Sequence, residues 1–144
     1  MAISSNDNLY VAYADYLNGQ KATVSKFDGS GWVTVGNPGF SNGSITSVAI
    51  AIDSHETPYV VYADFSSNNQ LTVKQFDGTN WATVGNANVT DGVASYPSLV
   101  FDSNDTPYVA FKDSVSGNKV FVKTLTPDET SWIDLGAGAA SDGT

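Results

Sequence analysis

Short apolar runs alternate with clusters of Asp, Asn, Ser and Gly along the whole 144-residue chain. The clearest unit begins at Ile45. Large Val48, Ile50 and Ile52 alternate with small Ala49 and Ala51, which predicts a strand over Ile45–Ile52. Further strands are predicted over Pro58–Asp64, Gln70–Phe76 and Trp81–Val84. The separators, Asp53-Ser54-His55-Glu56-Thr57, Ser66-Ser67-Asn68-Asn69 and Asp77-Gly78-Thr79-Asn80, are short enough for hairpins. Pro58 and Pro107 stand at the first position of a strand, where a missing N–H is harmless. In the second strand Tyr59 and Val61 point one way while Val60 and Tyr62 point the other, so both faces are apolar. A sheet with one wet face would alternate apolar with polar residues. The pattern therefore predicts sheets covered on both sides.

This unit repeats. Tyr10-Val11-Ala12-Tyr13-Ala14-Asp15 returns as Tyr59-Val60-Val61-Tyr62-Ala63-Asp64 and again as Tyr108-Val109-Ala110-Phe111-Lys112-Asp113, with a spacing of 49 residues each time. Phe27-Asp28-Gly29 followed by Trp32 returns as Phe76-Asp77-Gly78 followed by Trp81. The third copy is degenerate, with Pro127-Asp128-Glu129 before Trp132 and a two-residue insertion in the turn. A four-stranded unit with a period of 40–50 residues is that of a β-propeller blade. The expected fold is all-β, a β-propeller with three four-stranded blades per chain: residues 1–43, with a truncated first strand, then 44–92 and 93–144.

Composition agrees. Thirteen Asp against two Glu, and sixteen Val against six Leu, favour turns and strands over helices. The net charge of −9 and the absence of arginine argue against nucleic acid and against anionic membrane surfaces. No cysteine is present, so disulfides and thiolate chemistry are excluded. No apolar run approaches the ~18 residues of a membrane span, and Met1–Asn8 shows no signal-peptide pattern, so a soluble protein is expected. A single histidine, His55, on a turn and replaced by Asn6 and Asn104 in the other copies, leaves no usual catalytic triad or zinc site. No cofactor and no metal are expected.

The segments Val48–Asp64 and Ser98–Asp113 resemble the first half of NHL-type propeller blades, and Phe27-Asp28-Gly29-Ser30-Gly31-Trp32 resembles the hairpin of small fucose-binding propeller lectins. The resemblance implies a propeller and, through the lectins, a glycan-binding role. Propellers usually carry four to eight blades, so three should not close alone. Met1-Ala2-Ile3 aligns with the end of a first strand, and Ser141–Thr144 with the loop before one. Two chains are thus expected to close a six-bladed ring as a homodimer.

The repeat also supplies the candidate site. Aromatic faces stack on sugars, and carboxylates bind sugar hydroxyls. Trp32, Trp81 and Trp132, with Asp15, Asp64 and Asp113, are the candidate ligand-binding residues. The same tryptophans can instead seal neighbouring blades, and the same aspartates can satisfy N–H groups of their own loops. The expected function is a non-enzymatic binding module, lectin-like, with weak sites between blades. The alternative is a self-assembling repeat scaffold, or a fragment of a longer propeller, with no ligand of its own.

Overall fold

The computed structural model describes residues 1–142; positions 143 and 144, which end the expected junction loop, lie outside the described residues. Strands β1 (Ala2–Ile3), β2 (Leu9–Asp15), β3 (Lys21–Phe27) and β4 (Trp32–Thr34) form sheet I. Strands β5 (Ile45–Ile52), β6 (Pro58–Asp64), β7 (Gln70–Phe76) and β8 (Trp81–Thr83) form sheet II. Strands β9 (Ala94–Phe101), β10 (Pro107–Asp113), β11 (Lys119–Leu125) and β12 (Trp132–Asp134) form sheet III. Each sheet is an antiparallel meander with its strands in chain order. The expected strands of the middle copy match β5 to β8, except that the last ends one residue sooner.

Turn chemistry sets the hairpins. Asp53 Oδ1 accepts from the backbone N–H of His55 and Thr57, and Asp102 Oδ1 from Asn104 and Thr106. Asp28 and Asp77 do the same in the tight turns before β4 and β8. Each carboxylate satisfies donors that the turning chain would otherwise leave unpaired.

The sheets stack in sequence order, with both faces of sheet II covered. On β6, Val60 and Val61 point to opposite faces, yet both are 0% exposed. Val60, Tyr62, Ile50 and Trp81 pack with Tyr10, Ala22 and Val24 of sheet I. Val61, Ala63, Leu71 and Val73 pack with Leu99, Val109, Phe111 and Trp132 of sheet III. Full burial of such a side chain stabilises by about 1.5–3 kcal/mol. Neighbouring sheets meet through their first two strands, β1 and β2 on β5, then β5 and β6 on β9, and spread apart towards the fourth. The result is a fan of wedges, and the small Ala49, Ala51 and Ala2 sit where the sheets crowd.

Backbone bonds tie one sheet to the next: Ile45 N–H to Gln20 C=O and Ala94 N–H to Asn69 C=O. A second tie joins successive turns. Glu56 Oε1 accepts from the Ser5 hydroxyl (2.5 Å) and from the Asn6 N–H, and Asp105 accepts from the Ser54 N–H and hydroxyl. The accepting residue has positive φ each time, 66° at Glu56 and 60° at Asp105, and Asp7 in sheet I shares this conformation at 61°.

The hydroxyls of Ser4 and Ser5 and the Asn6 N–H hold the Glu56 carboxyl down to about 2. An unfolded glutamate titrates near about 4.3. A folded-state pKa below the unfolded one contributes stability that is present above the unfolded value and is lost as pH falls through the folded value. The melting temperature, followed by circular dichroism, should therefore fall as pH drops from about 4 towards 2. Glu56→Gln should make that fall shallower; an identical slope in the variant would show that this tie contributes nothing to acid stability.

Candidate functional site

The three tryptophans start the fourth strands β4, β8 and β12, but they occupy different surroundings. Trp81 is 8% exposed and Trp132 is 6%, whereas Trp32 is 52% exposed. Trp81 Nε1 donates to the Val35 carbonyl and Trp132 Nε1 to the Val84 carbonyl, both at 3.0 Å. Each carbonyl belongs to the preceding sheet's outer end, so each indole fills the widening part of a wedge and pins it. Close packing here depends on glycine: a Cβ at Gly85 (φ +67°) would stand 2.9 Å from both Trp132 Nε1 and Leu125 Cδ2. Gly36 stands in the same relation to Trp81 and Phe76.

Asp15, Asp64 and Asp113 end the second strands and cap the loop that follows. Asp15 Oδ1 accepts from Leu17 N–H, Asp64 Oδ1 from Ser66 N–H and Asp113 Oδ1 from Val115 N–H. Asp64 is buried, 1% exposed, and also accepts from the Ser66 hydroxyl and Gly43 N–H. Asp15 is bonded further by Asn18 and Thr23, and the Asn18 amide is the main cause that lowers its pKa. Asp113 keeps spare acceptor capacity, because its Oδ2 receives only the Ser116 hydroxyl.

Of the six sequence candidates, Asp113 alone lines a crevice between sheets II and III. Asp91 lines the sheet II side, and Phe111, Phe121, Lys123 and Asp134 line the sheet III side with it, around about 180 Å³. The Phe111 and Phe121 rings stack with centroids 6.2 Å apart and make an apolar floor. Lys123 and Asp134 are direct cross-strand neighbours on β11 and β12, and Lys123 Nζ lies 3.3 Å from Asp134 Oδ1. Larger hollows of about 420 and 350 Å³ lie over the turns of sheets II and III. Three of their carboxylates, Glu56, Asp77 and Asp105, are already bonded by turn or neighbouring-sheet donors, and among the described residues neither hollow has a lysine at its wall.

The corresponding crevice between sheets I and II is filled. There Phe40 stacks on Trp81, with centroids 4.4 Å apart, and meets the Tyr62 ring edge-on. Lys74, the counterpart of Lys123, donates to the Phe40 carbonyl, and burial lowers its pKa. Val89 takes the place of Phe40 in the second crevice, as its N–H bond to Leu71 matches that of Phe40 to Ala22. The sequence reading missed Phe121, Lys123 and Asp134. The available signal was departure from the repeat: Phe121 and Asp134 stand where sheet II has Thr72 and Thr83.

Three wedge-packed four-stranded sheets define a propeller-like all-β protein. In fold the chain is similar to a fucose lectin from Kordia zhangzhouensis, solved in complex with methyl-fucoside: the TM-score is 0.59 at 14% identity, over 95% of this chain and 96% of that one. No protein-family model matches the chain, and no curated protein matches it in sequence.

Trp132→Phe should test the indole pin. It leaves the Val84 carbonyl without its buried donor, a loss of about 1–3 kcal/mol. Denaturant unfolding should show that loss, and an unchanged midpoint would remove the indole bond from the forces holding sheets II and III together.

Proposed function

We propose that the protein is a non-enzymatic glycan-binding module whose open site is the crevice between sheets II and III. The observation that carries this reading is the pairing, in one crevice of a lectin-like fold, of an aromatic floor with charged hydrogen-bonding groups. Phe121, partly exposed and stacked on the buried Phe111, offers an apolar surface to the C–H face of a sugar. Lys123 donates, while Asp113 and Asp134 accept from hydroxyls. A volume of about 180 Å³ lies below the ~300–1,000 Å³ of pockets for drug-sized ligands, which suits a single sugar residue. Asp91, Asp113 and Asp134 outnumber the one lysine, so neutral sugars are favoured over sialylated or sulfated ones. Catalysis is not part of this reading, because Asp15 and Asp64 are committed to their own loops and Asp113 serves as an acceptor.

The second element of the proposal is assembly. Sheets I and III each leave one apolar face uncovered, with Ile3 and Trp32 exposed on one and Val100 and Leu135 on the other. A second copy covering both would give a six-sheet ring. In such a ring a weak site in each chain gains by multivalency.

Calorimetry with neutral monosaccharides at millimolar concentration, backed by a glycan array, tests the site. Binding should be detected, and Asp134→Asn or Lys123→Met should weaken it at least about tenfold, roughly 1.4 kcal/mol, with the circular dichroism unchanged. Blank titrations across the panel would sink the glycan reading. Turnover of a glycoside panel, abolished by Asp113→Asn, would replace it with an enzyme.

A further inference from the structure

The two uncovered faces are the two halves of a joint that the chain already contains twice. On sheet III, Val100, Ala110, Val120, Val122 and Leu135 stand where sheet II has Ala51, Val61, Leu71, Val73 and Val84. Those sheet II residues pack on sheet III. On sheet I, Ile3, Val11, Tyr13, Phe27 and Trp32 stand where sheet II has Ile52, Val60, Tyr62, Phe76 and Trp81, which pack on sheet I.

The polar groups are complementary as well. Trp32 Nε1 meets no acceptor among the described residues, whereas its two counterparts donate to Val35 and Val84. The counterpart of those valines is Leu135, which is exposed. Gly136, at φ +90°, has open space beside it, whereas Gly36 and Gly85 each support a tryptophan. Asp7 shares the backbone conformation of Glu56 and Asp105, which accept from Ser5 and Ser54 of the preceding sheet. Ser103 is the next serine in that series. Lys112 projects from the uncovered face of sheet III near the end of β10, where the other sheets have Ala14 and Ala63, and Asp15 ends the matching strand β2 of sheet I. That puts a cation at the Asp15 end of the joint, in a chain whose net charge of −9 otherwise opposes self-association.

We infer that sheet III of one copy receives sheet I of a second copy head to tail, through Trp32 Nε1 on the partner's Leu135 carbonyl and Asp7 on the partner's Ser103. The occupant is a second copy because, Lys112 apart, the groups named on each face match ones that the chain itself pairs or buries. This inference rests on the six-sheet ring proposed above and specifies its junction. A head-to-tail contact closes into a ring or runs on as a filament, according to its rotation. The fan of three sheets sets that rotation.

The chain lacks cysteine, so paired substitutions can read the junction directly. Asp7→Cys with Ser103→Cys in one chain should yield, on oxidation, a non-reducing gel band at twice the 15.1 kDa chain mass. Neither single variant should do so. Ser54→Cys with Asp105→Cys, the internal counterpart, should link within one chain and serves as the control. Sedimentation of the unmodified chain should give a dimer, and Trp32→Phe should weaken it about tenfold. A dimer without the cross-link, while the control links, overturns this junction and leaves the ring reading standing. A ladder of linked multiples upholds the junction and overturns ring closure. A folded monomer at high concentration overturns both.

Discussion

Each sheet carries apolar side chains on both faces, so each forgoes burial wherever a face meets water. This constraint organises everything else. Sheet II meets it fully, because Val60 and Val61 are buried on opposite faces of a single strand. Sheets stacked on both faces and tied at their first strands must splay at their fourth, and the opening has to be filled. A tryptophan fills it, and its indole N–H then needs an acceptor, which the preceding sheet's backbone supplies at Val35 and Val84. Close contact at that point excludes a Cβ, hence Gly36 and Gly85. The order of dependence runs from two-faced sheets to wedge, to indole, to glycine.

Much of this could be read from the chain. The period, the four strands of each unit and the strand bounds of the middle one follow from alternation and turn residues, because those signals are local. The apolar character of both faces is local too, and it implied stacking. The tie between successive turns was not foreseen. Ser5, Ser54, Glu56 and Asp105 lie in ordinary turn sequences, and nothing local shows that a carboxylate reaches a hydroxyl about fifty residues away. The six-sheet ring is a different kind of statement: it depends on two surfaces meeting between chains.

The crevice was harder to foresee than the frame. A search through repeated residues finds those that every unit needs, and Trp81, Trp132, Asp15 and Asp64 are each engaged in packing or in their own loops. Ligand groups need the reverse property, spare bonding capacity in an open space. Phe121 and Asp134 break the repeat, and Lys123 keeps the identity of Lys74 but changes its partner from the Phe40 carbonyl to Asp134. The new partner, Asp134, stands where sheet II has Thr83, and the path of the connecting loop, with Val89 in place of Phe40, becomes visible only once its backbone bonds are placed.

A repeated frame therefore presents non-equivalent crevices. Between sheets I and II, Phe40 stacks on Trp81, Asp64 is buried under three hydrogen bonds, and the space is spent on stability. Between sheets II and III about 180 Å³ stays open, and Asp113 retains acceptor capacity towards it. Filling the second crevice as the first is filled would add apolar burial of about 25 cal/mol per Å². Leaving it open forgoes that burial while keeping a lysine and carboxylates at its walls. Unengaged polar groups beside open space on this scaffold thus lie where the repeat is broken, because the residues that keep the repeat are already engaged in holding the sheets together.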